Sequence, residues 1–487
     1  MSDVKNVSNT KVAISECVAS SKSSLLSAEE LLSAVGGELL CAGAGEFCFS
    51  SVQTDSRKVV DGSLFVPLIG EVQDGHSYIP SAIQNGARVV LVSRKTPEID
   101  SFIEAHGDVA FIFVRNTLKA LQAAAGRYVE KFPSLVKVSV TGSSGKTTTK
   151  ELLASILGQK YNVISNVGNL NSETGLPLSV FNIRPEHTLG LFEMGMNRED
   201  EIGEIAGVFK PNYAVITNIG TAHIGILKSR ENIAREKKKI FSFVDEKGVC
   251  VIPKHDDFAS FLCEGVKGKV VFYGPDVDCR ISFLGDDGLL GTRFSVCGLP
   301  VRLALPGRYN YSNALGAIAL SLELGLSPEE IKKGIESLPA LSGRSEIVRE
   351  KNFTILKDCY NANPDSMEKA LELSASVDFG GKKILVLGDM LELGEESKSA
   401  HEKAGELSAS CRADCVIFIG NEMKHGFERA KEVSGKNAQL LYIEGNGQDA
   451  MKKACEAIRS ASSAGGDNFL LLKGSRGMGL ERICEEL

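Results

Sequence analysis

Lys146 and Thr147 close the run Thr141-Gly142-Ser143-Ser144-Gly145 and are followed by Thr148. Small residues let successive backbone N–H groups turn inward on an anion. A helix starting just after them adds the positive end of its dipole. The lysine supplies a cation for terminal phosphates, and the neighbouring hydroxyl can bind Mg²⁺. Val138-Ser139-Val140 reads as a buried strand before the loop, and Lys150 to Leu157 as the helix after it. A nucleoside triphosphate loop is therefore expected, with a bare strand-to-helix connection as the alternative. Val140 stands where the general phosphate-loop pattern has its first glycine, so the shorter form Thr-Gly-Ser-Ser-Gly-Lys-Thr is the one present.

Two further strand ends carry groups suited to the same chemistry. Leu189-Gly190-Leu191-Phe192 ends in Glu193, and Tyr213 to Thr217 is followed by His223. Strands of an open parallel sheet present their carboxyl ends, and their ligands, on one edge. Thr147, Glu193 and His223 would converge there as a Mg²⁺ shell. The alternatives are a capping or salt-bridged surface acid for Glu193 and a hydrogen-bonded loop histidine for His223. The polar segment Asn166 to Gly175, with Asn169, Asn171, Glu173 and Thr174, is a substrate loop or a mobile surface loop. Ile233 to Phe241 carries Arg235, Lys237, Lys238 and Lys239. Such a run usually marks a solvated helix face, and periodicity does not say which lysine would turn inward. Asn310 and Asn313, three residues apart, share a helix face. They grip a purine edge, or Asn310 caps the helix.

The elements that must hold these residues fall into an α/β order of three domains. Residues 1–24, rich in Ser, Lys, Asn and Val without a continuous apolar run, read as a flexible tail and not as a signal peptide. Residues 25–133 read as a small α/β domain. Ser27 and Glu30 form a capping box for a helix from Ala28 to Val35, Phe47 to Val52 reads as a strand, and Ser56 and Arg57 sit in a polar turn. That turn binds a phosphate or polar ring, or is simply solvated. Residues 135–338 carry the phosphate loop in a mostly parallel sheet flanked by helices. Residues 342–487 alternate strand and helix as a Rossmann-like, doubly wound domain. No GxGxxG follows its first strand, so dinucleotide binding is not expected. Its strand ends instead carry Asp358 to Ser366, Gly388-Asp389-Met390 and Lys473-Gly474-Ser475-Arg476, on one edge where a second substrate fits.

Composition sets the outer bounds. The 487 residues are 24% charged and 43% hydrophobic, as in soluble globular chains. A net charge of −7 gives no general attraction to nucleic acid or anionic membrane. No apolar run approaches the ~20 residues that span a bilayer. The 12 cysteines are scattered without a CxxC and most lie in apolar runs. Buried reduced thiols and a cytoplasmic location are expected.

Taken in order, the motifs resemble one family. They are Thr-Gly-Ser-Ser-Gly-Lys-Thr, Asn-Leu-Asn at 169–171 with a following Gly-x-Pro, Glu-Met-Gly at 193–195 and Thr-Ala-His at 221–223. Asn-x-x-Asn-Ala-Leu at 310–315 and Asp-x-Tyr-Asn-Ala-Asn-Pro-Asp-Ser-Met at 358–367 complete the set. Together they resemble the ATP-dependent Mur ligases, most of all the subtype that adds D-alanyl-D-alanine to UDP-N-acetylmuramoyl-tripeptide. Thr-Asp-Ser-Arg at 54–57 and Gly-x-x-x-Asp-Gly-His at 70–76 resemble that subtype's nucleotide-sugar domain. The resemblance implies that the first domain binds the UDP-muramoyl peptide, the central one ATP, and the third closes over both with the incoming dipeptide. ATP would phosphorylate the peptide carboxylate, and the dipeptide amine would displace phosphate, in a monomer that works in the cytoplasm on the way to peptidoglycan.

By motif match, Thr141 to Thr148 with Lys146 would hold the phosphates, and Thr147, Glu193 and His223 would bind Mg²⁺. Lys237 aligns with a lysine that the family carries as a carbamate, which can bind a second Mg²⁺. Lys239 stands where the family usually has an acid. Asn310 and Asn313 would contact adenine, and Arg344 and Asp358 would reach the nucleotide. Ser56 and Arg57 resemble UDP-sugar contacts. Asn361, Asn363, Asp365 and Ser366 are dipeptide candidates as a group. Rival readings are a Mur ligase adding a diamino acid or lysine, folylpolyglutamate synthase, and a nucleotide-binding module that ligates nothing. The Asp-Asn-Pro-Arg stretch of the diamino-acid enzymes is absent.

Overall fold

The computed structural model describes residues 24–43, 47–435, 438–463 and 466–487. The expected tail, Ser24 apart, lies outside the described residues. The chain divides into two compact units, one through Lys131 and one from Phe132.

The first unit is built on a five-stranded sheet in the order Glu38–Ala42, Ala110–Phe113, Ala87–Val92, Ser63–Phe65, Ser51–Gln53. Only the first pair is antiparallel. The helix Ala28–Val35 forms where the Ser27–Glu30 capping box satisfies its first donors, and Gly36 ends it in the left-handed region at φ 58°. The strand expected from Phe47 shortens to Ser51–Gln53. Phe49 is instead tied to the segment before the first helix, donating to Ser24 Oγ and accepting from Leu25 N–H.

The second unit opens with a six-stranded, all-parallel sheet. Its order is Lys269–Tyr273, Val249–Pro253, Tyr213–Ile216, Val136–Thr141, Leu189–Glu193, Val163–Ser165. The strand carrying the phosphate loop is therefore central, with the Glu193 strand on one side and the strand leading to His223 on the other. The following helix spans Lys146–Leu157, starting before the Lys150 expected from sequence. Leu152, Leu153 and Ile156 on it are fully buried and join a core with Ala314, Ala317 and Ile318 of the helix Arg308–Glu323. Burial of each large aliphatic side chain contributes roughly 1.5–3 kcal/mol, so the loop sits on an anchored helix. A three-stranded antiparallel sheet, Ile281–Asp286, Thr292–Val296, Leu299–Leu303, follows.

The last sheet has six strands in the order Glu346–Glu350, Phe353–Asp358, Asn468–Lys473, Lys383–Gly388, Cys415–Ile419, Gln439–Ile443. All pairs are parallel except the first, an antiparallel edge absent from the sequence expectation. Separate apolar cores cover its two faces, as a doubly wound sheet requires. The cysteines depart in part from expectation. All 11 described are free, but only Cys250, Cys359, Cys411, Cys415 and Cys455 are buried, and Cys279 and Cys297 are exposed. Those two flank the antiparallel sheet, where a strand faces solvent. Among the described residues no helix is long and apolar enough to cross a membrane.

Candidate active site

Two glycines shape the phosphate loop. Gly142 has φ 152°, and a Cβ there would lie 1.7 Å from Thr217 Oγ1. Gly145, the residue before the helix, has φ 79°, and its Cβ would lie 2.2 Å from Asn313 Oδ1. Any side chain at either place collides or strains the backbone. The loop is also tied down. Thr217 Oγ1 donates to Ser144 O (2.6 Å), Asn218 holds Ser144 through both backbone groups (3.1 and 3.0 Å), and Ser143 N–H donates to Asn218 O (3.0 Å). Lys146 Nζ reaches back to Gly142 O at 3.0 Å.

Thr147 Oγ1 donates to Glu193 Oε2 at 2.6 Å, and Asn171 Nδ2 donates to Glu193 Oε1 at 2.7 Å. Asn166, 1% exposed, grips the Glu193 backbone in both directions at 3.0 Å. The carboxylate is thus buried and aimed at the first turn of the loop helix. Burial depresses the Lys146 ammonium, Glu193 counters it, and Arg344 depresses it further. Arg344 of the last domain therefore lies within electrostatic reach of the loop.

Lys237 resolves the charge run. Its side chain is fully buried, and Nζ has no hydrogen-bond partner. Burial, reinforced by Lys146, pushes its pKa well below the ordinary lysine value, against the pull of Glu236 and Glu193. Its neighbours turn elsewhere. Glu236 accepts from Asp200 N–H and Ile202 N–H, capping the helix Glu201–Phe209, and Lys239 pairs with Asp200 and Glu236. His223 is held at φ 65°, its Nδ1 3.3 Å from Glu392 Oε2 without hydrogen-bond geometry. Burial lowers its pKa, Lys237 and Lys146 lower it further, and Glu392 opposes them. The imidazole is held neutral, the form that ligates metals.

No group of three His, Cys, Asp or Glu side chains forms a metal cluster among the described residues. One carboxylate and one hydroxyl beside a phosphate loop nonetheless suit Mg²⁺, which takes few protein ligands and completes its shell with phosphates and water. The buried, partnerless Lys237 Nζ and a His223 Nδ1 that has only Glu392 near it, at 3.3 Å, fit a site that gains charge when loaded.

Family profiles match the chain in three stretches: the Mur ligase family catalytic domain over residues 49–129, the Mur ligase middle domain over 140–321, and the Mur ligase glutamate ligase domain over 343–476. The UDP-N-acetylmuramoyl-tripeptide--D-alanyl-D-alanine ligase of Treponema pallidum is 41% identical over 94% of this chain and 98% of that protein. The chain belongs to the Mur ligase family. Among solved structures, MurF from Acinetobacter baumannii superposes with a TM-score of 0.83 at 29% identity, covering 95% of this chain and 98% of that one. MurF from Thermotoga maritima, solved in complex with ADP, gives 0.74 at 27% identity, covering 89% and 96%.

Within this Mur ligase the other expected site residues fall into distinct settings. Asn310 is 3% exposed and donates to Pro306 O (2.8 Å), while Asn313 Nδ2 donates to Asn310 Oδ1 (3.2 Å). Asn313 is thus the amide left beside the loop. Asp358 accepts from Ser345 N–H and pairs with Lys473 at 2.8 Å. Arg344 lies over the Tyr360 ring, 3.8 Å from its centroid. Asn363 caps the helix Pro364–Ser376 in a box with Ser366 and also donates to Ser144 Oγ at 3.2 Å. Asp365 Oδ2 accepts from Thr221 N–H (2.9 Å) and Oγ1 (3.2 Å). Asn363, Asp365 and Ser366 are thus engaged with the helix start and the phosphate-loop side, and Asn361 alone of that group is exposed. In the Asn166–Gly175 segment Glu173 pairs with Arg198, Thr174 precedes a short helix and Asn169 is exposed.

In the first unit Ser56 is buried, and Arg57 forms a two-point pair with Asp55. That hydrogen-bonded pair lowers the Asp55 carboxyl to about 2. Sequence reasoning gave no site role to Thr217, Asn218 or Glu392, and Asn166 entered only as the first residue of the polar loop. Thr217 and Asn218 end the strand beside the loop, a position whose signal was available. Glu392 owes its place to a φ of 66°, which no pattern announces.

Proposed function

We propose that the chain joins D-alanyl-D-alanine to UDP-N-acetylmuramoyl-tripeptide at the expense of ATP, in keeping with the name of its Treponema pallidum relative. The observation that carries the reading is the Thr147–Glu193 pair at the loop helix, with the partnerless Lys237 in the same electrostatic cluster. A switch or motor has no need of that lysine. ADP in the Thermotoga maritima neighbour supports ATP at this loop.

A carboxylate is a poor electrophile, so the peptide carboxylate oxygen first attacks the γ-phosphorus and ADP leaves. The dipeptide nitrogen then attacks the acyl carbon, phosphate departs with the C–O bonding pair, and the nitrogen loses its proton. Lys146 and the loop N–H groups face the phosphates and stabilise the charge that develops there. Thr147, Glu193 and His223 would hold Mg²⁺, which when bound offsets phosphate charge and orients the leaving group. The neutral Lys237 amine suits addition to CO₂. An N–C bond would form, one proton would leave, and the uncharged amine would become an anion able to hold a second Mg²⁺. Asn313 contacts adenine, and Asn310 positions it. Eleven free cysteines among the described residues accord with a reducing, ATP-containing cytoplasm.

The test is a substrate panel with UDP-N-acetylmuramoyl-tripeptide, ATP and Mg²⁺, read by ADP release and intact mass. D-alanyl-D-alanine is expected to support turnover and to appear in the product. Turnover with a diamino acid, lysine or glutamate, and none with the dipeptide, overturns the reading.

A further inference from the structure

His223 and Glu392 come from different domains, and each is presented by a fixed backbone. The carbonyl of His223 accepts from Ile226 N–H (3.1 Å) and Leu227 N–H (3.0 Å) of the short helix Ile224–Leu227. Thr221, two residues earlier, is held by Asp365 Oδ2 at 2.9 Å. Glu392 lies in the loop that follows the strand Lys383–Gly388 of the last domain. There Met390 N–H donates to His401 Nε2 (3.0 Å), Leu391 N–H donates to Ser475 Oγ (2.9 Å), and Leu393 is 2% exposed in the core. Glu392, between these anchors, is left-handed at φ 66°, and its side chain is 58% exposed.

Two glycines let the loops touch. A Cβ on Gly225 would lie 2.8 Å from Glu392 O and from Gly394 N, and one on Gly394 would lie 3.0 Å from Gly225 Cα. Carbon atoms rest about 3.5–4.0 Å apart, so a side chain at Gly225 would push the two backbones away from each other. Their approach sets Glu392 Oε2 3.3 Å from His223 Nδ1. Neither group has another use. The Glu392 carboxylate makes no other ion pair or hydrogen bond among the described residues, and His223 Nδ1 is buried without a hydrogen bond. An imidazole that ligates a metal is ordinarily held at its other nitrogen by a carboxylate, which fixes the ring and its tautomer. A proton on Nδ1, facing Glu392, leaves the lone pair of Nε2 for a cation.

We propose that Glu392 is a positioning residue of the metal site: its carboxylate holds the His223 imidazole with Nε2 available to Mg²⁺, so that a residue of the last domain completes a site built on the central sheet. The inference rests on the ligase reading above, in which His223 binds Mg²⁺, and deepens it. Glu392 acts through the imidazole and not on the metal. Its exposed side chain has the freedom to align with Nδ1 when the site is loaded.

The experiment titrates the full chain with Mn²⁺, a paramagnetic stand-in for Mg²⁺, at saturating ADP, and counts free Mn²⁺ by electron paramagnetic resonance. Wild type, Glu392→Ala, Glu392→Gln, His223→Ala and the Glu392→Ala/His223→Ala double variant are compared. Glu392→Ala is expected to weaken Mn²⁺ binding roughly 10- to 100-fold, the scale of losing a partner of a metal-ligating histidine, and to leave ADP binding without metal within about twofold. Glu392→Gln, which keeps an acceptor without the charge, falls between. Because the carboxylate is exposed, neither substitution removes core packing. His223→Ala is expected to lose at least as much as Glu392→Ala, and the double variant no more than His223→Ala alone, since the two residues act as one unit. Mn²⁺ affinity undiminished in Glu392→Ala overturns the inference. So does a Glu392→Ala loss that adds in full to that of His223→Ala, which a general structural defect would give, and so does a His223→Ala chain that binds Mn²⁺ as wild type does. If wild type binds no Mn²⁺ beside ADP, the metal-dependent ligase reading fails instead.

Discussion

At the carboxyl edge of the central sheet nearly every polar group already has a partner, whereas at the same edge of the last sheet two guanidiniums share only a ring. Ser143, Ser144, Thr147 and Glu193 are each held by hydrogen bonds from at least one neighbouring strand or loop. Among the described residues the guanidiniums of Arg344 and Arg476 meet the Tyr360 ring and no carboxylate. Phosphate transfer gains most from donors that need not reorganise as charge develops, so that end is tied before ligand arrives. The edge of the last sheet lacks that tying at its two guanidiniums, which meet a ring instead. Stacking orients its cations without consuming their hydrogen bonds.

The tied edge has a gap at the ionisable Lys237, and emptying it is the strongest way to break the comparison. Lys237→Ala removes the buried amine that has no partner. Activity should fall by roughly 10²–10³-fold, the scale of losing one electrostatic stabiliser. Added short-chain carboxylates should restore part of it in steady-state ADP release. An unimpaired variant would return Lys237 to a packing role.

A smaller effect is expected where the two edges meet. Asp365 Oδ2 reaches Thr221 on the central side, and Gly220 beside it donates to Ser143 Oγ at 2.9 Å. Asp365→Ala should lower kcat/KM by about 10-fold, in line with a lost charge-assisted hydrogen bond, while Asp365→Asn, which keeps an acceptor, should retain most activity. If both substitutions are equally harmful and only the dipeptide KM moves, Asp365 belongs to the open edge and contacts the dipeptide.

The smallest effect tests whether the last domain is tied beneath its open edge. His401 is fully buried, with Nδ1 2.6 Å from Ser397 O and Nε2 accepting from Met390 N–H at 3.0 Å. Burial holds its pKa below the ordinary histidine value. The unfolded chain binds a proton as pH falls through about 6.5 and the folded one does not, so stability declines on acidification. Urea unfolding between about pH 7 and pH 5.5 should show the decline. His401→Gln should flatten it by at most about 1.4 kcal/mol per pH unit. An unchanged slope would mean that the imidazole titrates normally.

Local pattern explains much of what was legible. The Ser27–Glu30 box and the helix-strand alternation of the last domain depend on neighbours a few residues away, whereas Asn363 and Ser366, expected at the dipeptide, turn out to cap a helix. The loop helix was misjudged at its start because Thr147 to Thr149 have weak helix propensity, and the buried core of Leu152, Leu153 and Ile156 overrides it. The edge strand Glu346–Glu350 was missed because it is largely polar and lies half open to solvent.

By itself, the sequence determined the α/β class, the order of the glycine loop, Glu193 and His223 along successive strands, and the set of side chains available for chemistry. These follow from periodicity and from residue type. Only the tertiary structure decided which of them act together. Lys237 turns inward because Glu236 is drawn to the backbone at Asp200 and Ile202 and Lys239 to Asp200. Asp365 meets Thr221 across 144 residues of chain. Arg344 and Arg476 share the Tyr360 ring because the strand before Tyr360 lies between the antiparallel strand that Arg344 precedes and the parallel strand that Arg476 follows. Such contacts depend on packing between distant segments, and no spacing within one segment encodes them.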